Sequence, residues 1–241
     1  MHLENIVIDA VDPGRLGRFW QAALGTEQLT DMPEGFETRL HLDGDAYLDL
    51  CFPRVPERPT EPQRLHLDLW DAGDQAGTAQ RLRDLGAGDL DIGQGDAPWI
   101  VLGDAEGNPF CVLEHRDAFV RTGPIASLPL DTADPDAAAE FWGWLTGWAD
   151  ADGYAPRSLR HPSGSGPLLE MCPEPRPKPA GSKNRMHLDI RLETGDDVDA
   201  IAEEILARGG AEPDRGWGEL PWRTFTDPSG NELCLLRAYD A

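Results

Sequence analysis

A chain of 241 residues, 40% of them apolar, can bury a core in one large domain or in two of ordinary size. Its formal charge of −23 is shared by both halves, with 23 acids against 10 bases in 1–121 and 21 against 11 in 122–241. Such a surface repels phosphate backbones and anionic headgroups, so neither nucleic acid nor a membrane is expected as a partner. No apolar run approaches the ~20 residues of a membrane span. Met1-His2-Leu3-Glu4-Asn5 lacks a basic start and a signal-peptide core, so a cytoplasmic protein is expected.

The predicted elements begin with a strand over 3–11 that ends at Asp12-Pro13, a helix cap followed by proline. Leu16, Phe19, Trp20 and Leu24 recur at helical spacing, and Gly25 stops the helix. Strands over 36–42 and 46–52 precede a proline-rich break at 53–63. A strand at 64–70 and a helix near 73–85 follow, then strands near 98–103 and 109–114 around the turn Asp104-Ala105-Glu106-Gly107-Asn108. The second half opens with a strand at 124–131 and a helix capped by Asp134-Pro135, with Phe141, Trp142 and Leu145 on one face and Gly147 at its end. Strands near 156–161 and 167–172, a proline-rich break at 173–181, a strand at 185–192, a helix near 196–208 and strands near 221–227 and 231–237 complete it.

The order repeats because the sequence does. Phe19-Trp20 returns as Phe141-Trp142, His66-Leu67-Asp68-Leu69 as His187-Leu188-Asp189-Ile190, and Gly107-Asn108 as Gly230-Asn231, at offsets of 121 to 123. The cysteines follow the same rule, Cys51 with Cys172 and Cys111 with Cys234, in no zinc or redox spacing. The chain is therefore a tandem duplication, with copies at 1–116 and 123–238 joined by a linker at 117–122. Each copy divides again into two strand–helix–strand–strand–strand units. In the strand at 64–70, Leu65, Leu67 and Leu69 point one way and His66, Asp68 and Trp70 the other. In 185–191, Met186, Leu188 and Ile190 oppose His187, Asp189 and Arg191. The leucine rows suit a helix-covered face, and the His/Asp rows suit a concave one.

The four-unit plan, the Asp-Pro capped helix ending in Gly, the His-Leu-Asp-Leu strand and the Asp-x-x-Gly-Asn hairpin resemble the vicinal oxygen chelate (VOC) superfamily in its tandem glyoxalase-like form. The resemblance implies an α+β fold of four β-α-β-β-β modules, forming curved mixed sheets around concave cavities. That superfamily spans glyoxalase I, dioxygenases, epimerases, fosfomycin-modifying enzymes and metal-free bleomycin-binding proteins, so it leaves the activity open.

Its metal-binding members place His, Glu or Gln at four positions. By resemblance these are Asn5, Asp49, His66 and Cys111 in the first copy and Ser127, Glu170, His187 and Cys234 in the second. Cavities that pair halves of different copies would instead join Asn5 and Asp49 to His187 and Cys234, and Ser127 and Glu170 to His66 and Cys111. Both groupings mix conventional ligands with a thiol. No metal or other cofactor is expected, with Zn²⁺ or Fe²⁺ as the alternative because a thiolate suits softer ions.

Glu170, His66 and His187 are the candidate catalytic groups. Asp49, Asp68, Trp70, Asp189, Arg191 and Trp217 are candidate ligand contacts, and the Glu170 site is expected to be the more functional. The expected function is binding of a planar or cationic small molecule by a monomer or homodimer, to sequester or transform it, in resistance or secondary metabolism. The alternative is a metal-dependent lyase, isomerase or dioxygenase.

Overall fold

A computed structural model describes all residues except 45, 58–60, 72, 180, 215, 217, 219, 240 and 241. The first copy runs β1 (His2–Ile8), α1 (Pro13–Leu24), β2 (Glu27–Met32), β3 (Gly35–His41) and β4 (Tyr47–Pro53), then β5 (Asp68–Leu69), α2 (Gln75–Asp84), β6 (Gly88–Asp89), β7 (Ile100–Gly103) and β8 (Pro109–Val112). The second runs β9 (Ile125–Thr132), α3 (Pro135–Thr146), β10 (Ala149–Asp150), β11 (Arg157–Arg160) and β12 (Leu168–Pro173), then β13 (Met186–Arg191), α4 (Val198–Ala207), β14 (Trp222–Thr226) and β15 (Glu232–Leu236). The fold is α+β, with four modules in two curved mixed sheets.

Each sheet takes one module from each copy. The first has the order β14-β15-β13-β1-β4-β3-β2, and the second β10-β11-β12-β9-β5-β8-β7-β6. A module pairs its first strand in parallel with its last, β1 with β4 and β13 with β15, which leaves the other edge of the first strand bare. The bare edges of β1 and β13 then pair antiparallel, as do those of β5 and β9, so backbone groups that would otherwise be unpaired are satisfied at each seam.

The helices start and stop where the sequence places the signals. Asp12 and Asp134 cap α1 and α3 ahead of Pro13 and Pro135, and Gly25 and Gly147 end them in the left-handed region. Trp20 and Trp142 are buried, and each indole N–H donates to a buried hairpin carboxylate, Asp104 at 3.0 Å and Asp227 at 3.1 Å. The Asp carboxylates also accept from Asn108 and Asn231, so a helix and a closing hairpin are fastened identically in both copies.

Alternation along the strands works as read. Leu65, Leu67 and Leu69 are buried against the helix layer, as are Met186, Leu188 and Ile190. Four elements differ, two of them the two-residue strands β6 and β10, which the sequence reading does not contain. The expected strand at 64–70 is regular only over Asp68–Leu69, with an isolated bridge between Leu65 and Leu130. β2 has no counterpart in the sequence reading, because its residues are almost all exposed and show no inside–outside alternation.

Candidate ligand-binding site

The register of the first sheet aligns side chains across its concave face. Glu37 lies opposite Cys51, Cys51 opposite Val7, and Val7 opposite His187. The next row runs Arg39, Asp49, Asn5, Asp189, Cys234 and Thr224. Over this face opens a cavity of ≈ 1370 Å³. Val7, Met32, Val55, Trp222, Leu236 and Tyr239 supply apolar and aromatic wall, and Trp222 and Tyr239 are exposed, at 39% and 61%.

Ion pairs flank that cavity. On the same sheet, Arg39 holds Asp49 through two 2.8 Å bonds and stacks on Tyr47. Arg191 pairs with buried Glu4 and covers the Tyr239 ring, whose hydroxyl donates to Glu4 at 2.8 Å. Burial, with Glu4 beside it, pushes the Tyr239 phenol up to about 12. On the floor, Asn5 donates to Asp189 Oδ2 at 3.2 Å. His187 Nε2 stands 3.3 Å from Asp189 Oδ1 and 3.6 Å from Cys234 Sγ. Burial, reinforced by Asp189, raises the Cys234 thiol pKa, and burial does the same for Cys51.

Acids dominate the remaining lining. Asp9, Glu34, Glu37, Glu57, Glu61 and Asp189 face Arg54, Lys183, Arg191 and Arg237. Lys183 is engaged by Asp9, Arg191 by Glu4, and Arg54 by the carbonyls of Val11 and Pro33. Glu37 is half-buried and accepts one bond, from the Thr30 hydroxyl at 3.3 Å. Among the described residues it has no basic partner.

The second sheet carries the same floor but a different ceiling. His66 Nε2 stands 3.3 Å from Asp68 Oδ1, Ser127 donates to Asp68 Oδ2 at 3.0 Å, and Cys111 completes the cluster. Above them Phe119, fully buried, packs with Val101, Cys111, Leu113, Ala126 and Leu168. Its ring meets Tyr154 at 5.6 Å and Trp70 at 6.3 Å, while Arg116 lies over Tyr154. The link between the copies thus packs its own aromatic residue onto this face.

The sequence-predicted residues therefore separate. His187, Asp189 and Arg191 line the open cavity, and Asp49 lies on the same face but is enclosed by Arg39. Trp70 packs on the Phe119 cluster, Asp68 lies near its Cys111, and the His66 ring stays about a third exposed. Glu170, which the sequence reading favoured, is buried on the second sheet and accepts from the Tyr154 and Ala155 amides at 2.7 and 3.4 Å. Its charge has backbone partners, and it is not among the residues that line the first-sheet cavity. Trp217 lies outside the described residues. Sequence reasoning missed Glu37, Trp222 and Tyr239 as cavity-facing groups. Glu37 could have been found from the alternation Phe36, Thr38, Leu40 inward against Glu37 and Arg39.

The glyoxalase-like domain family model matches twice, over residues 5–113 and 127–236. The chain belongs to the glyoxalase-like domain family. Glyoxalase I from Zea mays is similar in structure over 98% of this chain and 92% of its own, with TM-score 0.64 and 16% identity, and its V278E mutant gives 0.65 over the same shares at 16% identity. A proposed dioxygenase from Bacillus subtilis subsp. subtilis str. 168 is similar over all of this chain and 86% of its own, with TM-score 0.59 and 14% identity. At these identities the likeness concerns the glyoxalase-like fold. No curated protein matches the chain. Among the described residues no helix is long and apolar enough to cross a membrane.

Proposed function

We propose that this glyoxalase-like protein binds one small molecule per chain in the first-sheet cavity, and that the molecule joins a cationic group to a planar or apolar body. The observation that carries this reading is Glu37, a half-buried carboxylate on the cavity face with only a hydroxyl donor. A carboxylate partly withdrawn from water and without a charged partner is free to accept one. An amine supplies that partner, and Trp222 and Tyr239 offer aromatic surface for its body. The surplus of acids around the mouth favours approach of a cation. Sequestration, in resistance or beside a step of secondary metabolism, suits a binder of this kind.

The test uses two probes of nearly equal shape, 2-phenylethylamine and 2-phenylethanol, titrated calorimetrically into the full chain. The amine should bind the more tightly, and Glu37→Gln should weaken it about tenfold, since a charge-assisted bond contributes ~1.5–3 kcal/mol. Equal binding of both probes, or an unaffected Glu37→Gln variant, would overturn the reading.

A further inference from the structure

The linker that packs Phe119 on the second sheet also sets a cation among aromatic rings there. The guanidinium carbon of Arg116 lies 4.7 Å from the centre of the Tyr154 ring, 5.7 Å from that of Phe119 and 5.8 Å from that of Trp99. Glu114, two residues earlier, accepts from Arg116 Nε at 2.7 Å. Three rings and a carboxylate around one cation make a cage, because ring faces and a carboxylate both present negative potential to it. Its parts come from three stretches of chain. Trp99 lies just ahead of β7, Glu114 and Phe119 flank Arg116 itself, and Tyr154 lies between β10 and β11.

The occupant uses the cage incompletely. The Arg116 side chain is 13% exposed, yet it bonds Glu114 through Nε alone. The buried Oε2 of Glu114 accepts no hydrogen bond. A guanidinium free of the linker backbone can lie edge-on to a carboxylate and engage both oxygens. Tyr154, one wall of the cage, is 53% exposed, so the cage borders solvent. The first sheet is built otherwise. The offset of 123 that relates Cys111 to Cys234 puts Tyr239 where the second sheet has Arg116. Ring and cation exchange places there, with Arg191 of the sheet 4.2 Å from the Tyr239 ring and paired with Glu4.

We infer that the second sheet carries a guanidinium-binding cage that the chain keeps occupied with its own Arg116, so that a free guanidinium compound enters only in place of that side chain. A tethered group acts at an effective concentration on the order of mM, which a dissolved competitor has to exceed. The cage is therefore closed to dilute ligands while Arg116 sits in it and open once that side chain leaves. None of its residues lines the first-sheet cavity, and it stands apart from the amine-binding reading.

The test titrates methylguanidinium and its neutral isostere N-methylurea calorimetrically into the full chain, in a Glu37→Gln background that removes the first-sheet carboxylate. Arg116→Ala should bind one equivalent of methylguanidinium. Its affinity should be at least tenfold above that of the protein that keeps Arg116, and at least tenfold above that for N-methylurea. Adding Glu114→Gln should weaken the binding at least tenfold. If Arg116→Ala does not fold by circular dichroism, Arg116→Gln, which keeps part of the stem, carries the test with the same expectations. No gain on removing the guanidinium, equal binding of N-methylurea, or affinity unchanged by Glu114→Gln would overturn the inference. The amine titrations that test Glu37 are read with Arg116 in place, so either reading can fail while the other stands.

Discussion

Asn5 and Asp189 belong to different copies of the repeat, yet they face each other across the β1–β13 seam and share a 3.2 Å amide–carboxylate bond. The cavity floor therefore exists only where the first module of one copy meets the second module of the other. Neither copy by itself can build it.

A fragment of residues 1–116 should accordingly fail to fold as a monomer, because the bare edges of β1 and β5 would have no partners. Circular dichroism with size-exclusion chromatography should show it unfolded or self-associated. A folded monomeric fragment would contradict the seam's importance.

The paired indole–carboxylate bonds allow a stability comparison. Trp20→Phe and Trp142→Phe each remove one donor from a buried, otherwise bonded Asp, and each should cost roughly 1–3 kcal/mol in urea unfolding. The two sites share no partner, so the double variant should lose about the sum. A much larger loss in one variant would show that the copies are not fastened alike.

Much of this arrangement is legible in the sequence, for local reasons. Asp12-Pro13 and Gly25 are helix signals that act within one turn, and the Leu65/Leu67/Leu69 row separates from His66/Asp68/Trp70 by strand geometry alone. What is not legible depends on partners distant in the chain. Glu170 on a strand shows no partner in the sequence, and only the fold brings the Tyr154 and Ala155 amides to it. Phe119 sits in a linker without periodicity, so nothing local marks it as a core residue. Likewise Asp189 and Cys234 become neighbours only once β13 is set beside β15.

Phe119 should be a large contributor to stability and irrelevant to the open cavity. Phe119→Ala removes a fully buried ring and should cost about 3–5 kcal/mol in urea unfolding, with little change in 2-phenylethylamine binding by the protein that remains folded. Loss of amine binding in folded Phe119→Ala protein would place the binding site on the wrong sheet.

His66 gives a pH dependence with a defined sign. Burial disfavours its charged ring, but Asp68, with Asp131 and Glu170 nearby, more than offsets this and raises the pKa above 6.5. The folded state then holds the proton more tightly, so this contribution is fully present below the unfolded value of ~6.5 and is lost as pH rises through the folded pKa. The ring is about a third exposed, and screening keeps the contribution modest. Urea unfolding between pH 6 and 8 should show a decline in stability that His66→Gln makes shallower. Identical slopes would remove His66 from the account.

The central claim is that binding belongs to the first-sheet cavity, and a paired comparison of two carboxylate variants tests it most directly. Glu37→Gln and Glu170→Gln each remove one charge with little change in shape, one from each sheet. Calorimetric titration with 2-phenylethylamine should show affinity about tenfold weaker in Glu37→Gln and unchanged in Glu170→Gln. The opposite result, with Glu170→Gln impaired and Glu37→Gln intact, would contradict the claim and return the site to the second sheet.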